Sequence, residues 1–146
     1  MRGVSAGDTF RRLVGKCLAR QFADPFRQAA GPGNFGLSTR CGTYGLVHLA
    51  RALLEADPEQ TILCIDGVGA FDHVSRARMF ERLAATPALR RRLPFVRLGY
   101  ASPSAAVWMD DDGVAHLVSS TEGGEQGDAL LPGMFCVALG PALVEI

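Results

Sequence analysis

The sequence predicts an α+β fold in which helices pack on a small antiparallel sheet that carries a β-hairpin. Thr61-Ile62-Leu63-Cys64-Ile65 is a short apolar run of strand-compatible residues that stops abruptly at Asp66. Ala105-Ala106-Val107-Trp108 and Val114-Ala115-His116-Leu117-Val118 flank Asp111-Asp112-Gly113, the composition of a hairpin with turn residues at its tip. Most remaining apolar residues recur at helical spacing. With 146 residues, 48% of them hydrophobic, and no repeat or low-complexity tract, the chain is sized for one globular domain.

In chain order, Asp8 is placed to cap a first helix whose apolar positions Phe10, Leu13, Val14, Cys17 and Leu18 share a face, leaving Arg11, Arg12, Lys16 and Arg20 toward solvent or substrate. Gly31-Pro32-Gly33-Asn34 is a turn. Ser38 or Thr39 then starts a second helix with Leu46, Val47, Ala50, Leu53 and Leu54 inward. Past Asp66, Asp72 reads as a helix cap, followed by a stripe of Val74, Ala77, Phe80 and Leu83. Pro87 and Pro94 punctuate a helical stretch up to Tyr100, and Pro132 opens an apolar helix near the C-terminus. Gly133 and Gly140 weaken that last helix, by about 1 kcal/mol each relative to alanine.

Asp66 is the residue that most needs an explanation. An aspartate closing a buried strand is costly unless it is hydrogen-bonded or holds a cation, so it either caps a turn or ligates a metal. Well downstream, Glu122-Gly123-Gly124-Glu125-Gln126-Gly127-Asp128 supplies glycine-flexible backbone and a carboxamide, with Asp128 placed to cap the helix that follows.

In this order and spacing the two segments resemble the palm of reverse transcriptases, of the non-LTR retrotransposon and group II intron type. The matching residues are Asp66-x-x-x-Ala70-Phe71-Asp72-x-Val74 for the first palm motif, and Gly124-x-Gln126-Gly127-Asp128 with Pro132 and Phe135 for the second. The resemblance implies a single partial domain over 1–146, with a basic fingers-like segment over 1–40 and a partial palm over 41–146. It implies template-directed nucleotidyl transfer with two Mg2+ (or Mn2+) ions, an RNA or DNA template, a primer and deoxynucleoside triphosphates as partners. Such chemistry is mostly positioning and charge stabilisation.

By the same resemblance, Asp66 is the catalytic metal ligand and sits at the carboxyl end of a central antiparallel strand, with the Gly67 carbonyl beside it. Phe71, next to Ala70, resembles the bulky residue that clashes with a 2'-hydroxyl. Gln126 and Gly127 resemble the pair that packs on the incoming nucleotide, opening onto the same cleft as Phe71. Arg2, in Arg2-Gly3-Val4, resembles an arginine that contacts the triphosphate, although Gly3 replaces the family's proline. Ala129 likewise stands where the family commonly has proline. Trp108-Met109-Asp110-Asp111 imitates the aromatic-x-Asp-Asp signature of the family, but it precedes the Gln-Gly motif instead of following it, which favours the hairpin. The chain therefore reads as lacking that second carboxylate motif, and as inactive or nearly so by itself. Other readings are an RNA-templated RNA polymerase fragment and a non-catalytic nucleic-acid-binding remnant of a mobile element.

Charge and cysteines bound the rest. Formal net charge is zero, which excludes a global nucleic-acid signal, yet charge is segregated along the chain. Arg2, Arg11, Arg12, Lys16, Arg20, Arg27 and Arg40 oppose only Asp8 and Asp24 at the N-terminus. Seven arginines between 76 and 97 oppose Glu81, and the stretch from 107 onward has acids but no Lys or Arg. Such blocks suit a basic surface beside an acidic palm, or simply solvated helix faces. Cys17, Cys41, Cys64 and Cys136 lack a Cys-x-x-Cys spacing, and three of them lie in apolar surroundings, so neither disulfides nor zinc is expected and a reducing compartment fits. The polar, glycine-rich N-terminus carries no secretory signal and no apolar run reaches membrane-spanning length, giving an intracellular, nuclear or cytoplasmic location.

Overall fold

The core forms where four helices converge on the apolar C-terminal one. The computed structural model describes residues 7–144. Its helices are α1 (Thr9–Gln21), α2 (Ala23–Ala30), α3 (Gly42–Ala56), α4 (Ala70–His73), α5 (Arg76–Ala85), α6 (Pro87–Arg90), α7 (Leu93–Tyr100) and α8 (Leu131–Val144), with strands β1 (Ser104–Met109) and β2 (Ala115–Ser120) preceding α8. Among the described residues the chain is thus α+β, with eight helices and one two-stranded antiparallel sheet.

Leu131, Met134 and Val137 of α8 are fully buried against Phe26 of α2, Met79 and Leu83 of α5, Leu89 of α6, and Val96 and Tyr100 of α7. Gly133 of α8 has a packing reason. A Cβ at Gly133 would lie 2.8 Å from the Phe26 ring, so its small size lets α2 lie close along α8, while one at Gly140 would make ordinary contact with the Ala30 carbonyl oxygen at 3.5 Å. The helix-propensity cost of Gly133 is set against that close approach.

Several sequence signals act as expected. Asp8 caps α1, its Oδ1 accepting from the Phe10 and Arg11 amides at 2.9 and 3.1 Å. The Gly31–Asn34 turn closes through the Asn34 amide donating to the Gly31 carbonyl, with Gly31 at φ 88°. In the hairpin, Trp108 pairs with His116 and Val107 with Leu117. Its tip is an Asp-stabilised turn: Asp110 Oδ1 accepts from the Asp112 and Val114 amides, and Gly113 takes φ 78°.

Other expectations are corrected. Thr61–Ile65 forms no strand: it is irregular, pairs with no strand of the described residues and is exposed, with Leu63 77% and Ile65 74% accessible. A strand needs a neighbour, and the hairpin pairs only with itself. The helices pack on one another and not on the sheet, whose strands are exposed on both faces. Helix α1 is rotated from the expected face, since Phe10 and Leu13 point to solvent while Arg11 and Gly15 turn inward. Helix α5 begins at Ser75, whose hydroxyl accepts from the Arg78 amide, and not at Asp72, and it buries Arg76, Met79 and Leu83. Helix α3 starts at Gly42, after Cys41 in the left-handed region, and exposes Leu46, Val47, Leu53 and Leu54. Cys17, Cys41 and Cys64 are exposed and not set in apolar surroundings.

Candidate functional site

The two motif segments, distant in sequence, meet through their backbones. Gly69, at φ 60°, turns the chain after Asp66, and its carbonyl accepts from the Asp72 and His73 amides to start α4. The carbonyls this short helix presents at its end are taken up by the second segment. Gly124 N–H donates to the Phe71 carbonyl at 2.8 Å, and Gly123 N–H donates to the Val74 carbonyl at 2.9 Å. Only glycine fits at 123, because φ is 69° and a Cβ would run into the Asp72 carbonyl. At Gly124 a Cβ would collide with the Leu131 side chain at the start of α8.

Arg76 fastens this junction. Its own amide donates to Glu122 Oε2 at 3.0 Å, and its buried guanidinium donates to the Gly123 carbonyl, the Ser102 carbonyl and Ser104 Oγ at 2.9, 2.9 and 3.1 Å. One side chain therefore ties α5, the second motif and the base of the hairpin together, using the forked donor geometry that only arginine has. The guanidinium also lies 5.4 Å from the centre of the Tyr100 ring.

A second polar cluster sits where the motif enters α8. Asp128 Oδ1 accepts from the Leu130 amide at 2.9 Å, while Oδ2 accepts from Tyr100 OH at 2.7 Å and from Arg11 Nη2 at 3.4 Å. Arg11 Nη1 reaches Glu125 Oε1 at 3.3 Å, and the guanidinium also lies 5.0 Å from the centre of the Tyr100 ring. Burial, together with the Asp128 carboxylate it hydrogen-bonds, pushes the Tyr100 pKa well above its ordinary value of 10.0. For Arg11, burial alone would lower the pKa, but Glu125, Tyr100 and Asp128 outweigh it and hold the group firmly charged. Part of the basic N-terminal block thus neutralises part of the acidic block inside the molecule.

The sequence-derived site residues fall in several places. Asp66 and Gly67 lie exposed on the irregular segment before Gly69. Gly67 and Ala70 line an open groove of about 530 Å³, walled by Ile65, Val74, Phe135 and Leu139. Phe71 is half-buried, its ring meeting Phe135 edge-on at 5.0 Å and 80°. Gln126 is half-buried, and Gly127, at φ 120°, lines a shallow cleft with Arg11, Arg12, Glu125 and Asp128. The groove and this cleft are separate pockets of the described residues. Arg2 lies outside the described residues.

Arg76, Arg11 and Tyr100 were not among the sequence candidates, because arginines on amphipathic helices read as solvent-facing. A signal existed for Arg76: it is in helical phase with Met79 and Leu83.

For a divalent ion, the Asp66 carboxylate and the Gly67 carbonyl could supply part of one oxygen shell, which Mg2+ ordinarily completes with water and substrate phosphates. Among the described residues, no group of three or more His, Cys, Asp or Glu side chains could hold a metal. No described helix is long and apolar enough to cross a membrane. No family model, no curated protein and no solved structure matches the chain.

Proposed function

We propose that the chain is a partial fingers and palm unit of an RNA-directed DNA polymerase of the non-LTR retrotransposon and group II intron type. The observation that carries this reading is the backbone junction between Phe71–Val74 and Gly123–Gly124. It joins the two stretches on which the resemblance rests and makes glycine obligatory at 123. In this reading Asp66 supplies one carboxylate for a metal-bound deoxynucleoside triphosphate, Phe71 and Ala70 form the wall beneath the sugar, and Gln126 and Gly127 face the nucleotide. The metal, when bound, would neutralise triphosphate charge. Among the described residues no cluster of acids surrounds Asp66, and the chain alone is expected to perform negligible synthesis.

A second reading, a non-catalytic nucleic-acid-binding remnant, is favoured by the exposure of Arg12, Lys16 and Arg20 on α1. Primer–template gel shifts over a salt series separate the two. The polymerase reading expects binding that tightens with Mg2+ and a complementary deoxynucleotide, and loses that tightening in Asp66→Ala. Binding with a steep salt slope, indifferent to both nucleotide and Asp66, would support the remnant instead. Robust Asp66-dependent primer extension by the isolated chain would contradict the expected inactivity.

A further inference from the structure

The first half of α1 is held down by one charged side chain. Gly7, Arg11 and Gly15, spaced four apart, meet the loop 123–128. The two glycines bring no side chain to that contact: a Cβ at Gly7 would lie 3.4 Å from Glu125 Oε2, and one at Gly15 would lie 3.6 Å from Asp128 Oδ1. The apolar residues of the same stretch, Phe10, Leu13 and Val14, are exposed. Packing on the core begins only toward the end of the helix, with Leu18, Ala19 and Phe22. Arg11, in contrast, has a built seat. Its guanidinium reaches Glu125 and Asp128 at 3.3 and 3.4 Å and lies 5.0 Å from the centre of the Tyr100 ring. It also rests on bare α7 backbone at Gly99, where a Cβ would come within 2.5 Å of Nη2.

We propose that α1 is a latched cover over the loop 123–128, hinged at Phe22 and kept shut, among the described residues, by Arg11. Phe22 suits the hinge because it ends α1 and precedes α2, with the Arg92 guanidinium 3.9 Å from the centre of its ring. The last turn therefore stays anchored while the first turns lift. Opening uncovers Glu125, Gln126, Gly127 and Asp128 together with the Tyr100 hydroxyl. The Arg11 pairs keep partial contact with water, at 29% exposure for Arg11 against 21% for Glu125 and 13% for Asp128, so added salt weakens them. Burial of the apolar core around α8 is not screened in this way. Access to the loop is thus set by ionic strength while the core is indifferent to it. The inference does not rest on the polymerase reading.

Hydrogen exchange of the full chain, followed amide by amide, tests it by comparing residues 13–20 of α1 with residues 134–137 of α8. At low salt the α1 amides of the wild type are expected to be protected. Raising NaCl to about 1 M, where charges are screened within about 3 Å, and the Arg11→Ala change are each expected to speed α1 exchange about tenfold while α8 keeps its rates. Gly99→Ala should unseat the guanidinium and open α1 in the same way, even though alanine favours helix at that position of α7. Lys16→Ala, which removes an exposed cation of α1, should change neither set of rates. An α1 that is unprotected at low salt, or whose rates ignore salt, Arg11→Ala and Gly99→Ala, would overturn the proposal. So would α1 and α8 accelerating together, since the two would then open as one unit.

Discussion

Helix α8 and the segment Thr61–Ile65 are both almost wholly apolar, yet one is the centre of the core and the other lies exposed. The difference lies in partners. Helix α8 satisfies its backbone internally and needs only surfaces to pack against, which α2, α5 and α7 supply. An extended segment must find another strand for its amides and carbonyls, and the hairpin pairs only with itself. Apolar composition therefore says what wants to be buried, and hydrogen-bond complementarity decides whether it is.

The largest expected contrast follows directly. Met79→Ala or Leu131→Ala should lower unfolding free energy by about 2–5 kcal/mol, as cavity formation in a closed core does. Leu53→Ala, on an exposed face of α3, should stay within about 0.5 kcal/mol. Urea titration of the three variants at a fixed low protein concentration measures this, and equal effects would mean that α3 is buried.

Next in size is the motif junction. Gly123→Ala forces a Cβ into the Asp72 carbonyl and should cost about 3 kcal/mol, whereas Gly113→Ala at the hairpin tip meets nothing within 4 Å and carries only the penalty of its backbone angle. Arg76→Ala strips donors from the Gly123 and Ser102 carbonyls and should cost about 2–3 kcal/mol. Lysine at 76 should recover little, since it cannot fork to three acceptors. Amide exchange at Gly123 and Gly124 locates the damage.

A smaller effect distinguishes the two titrating clusters. Burial and Asp128 raise the Tyr100 pKa, so its contribution is fully present below pH 10.0 and is lost as pH rises through the folded-state value. In a Tyr44→Phe background, phenolate absorbance should appear only well above pH 10.0 and together with loss of structure; half-ionisation at 10.0 in the folded chain would contradict the Asp128 bond. At the hairpin tip the sign reverses. The His116 hydrogen bond, helped by the Val114 amide, lowers the Asp110 pKa below its ordinary 3.8. That contribution persists above pH 3.8 and fades as pH falls through the folded-state value. The Asp112 and Val114 amide resonances should therefore shift only in stronger acid, with α8 unaffected.

What could be read from the residues, and what could not, divides along the same line. The hairpin, the Gly31–Asn34 turn, the Asp8 cap and the helix opened by Pro132 rest on local chemistry, and all are present. Which face of α1 turns inward depends on Glu125 and Asp128, distant acids that draw Arg11 in. No local periodicity encodes that. On α5 the expected Leu83 is buried and Val74 and Phe80 pack at the edge of the core, but Arg76 and Met79 take the inward places beside them, Arg76 being buried by its acceptors and not by apolarity. The oppositely charged blocks at the two ends of the chain were the available hint. At the candidate site, the two segments meet through backbone hydrogen bonds that no residue pattern announced, while the strand expected to carry Asp66 needed a neighbour that the described residues do not provide.

The most direct test of the proposed function is electron paramagnetic resonance of Mn2+ with a deoxynucleoside triphosphate added to the chain. The account predicts a protein-bound Mn2+–nucleotide signal that is lost in Asp66→Ala and weakened in Gln126→Ala, with folding unchanged in both. A chain that leaves the Mn2+–nucleotide spectrum as it is in buffer, or binds it equally well without Asp66, would contradict the account.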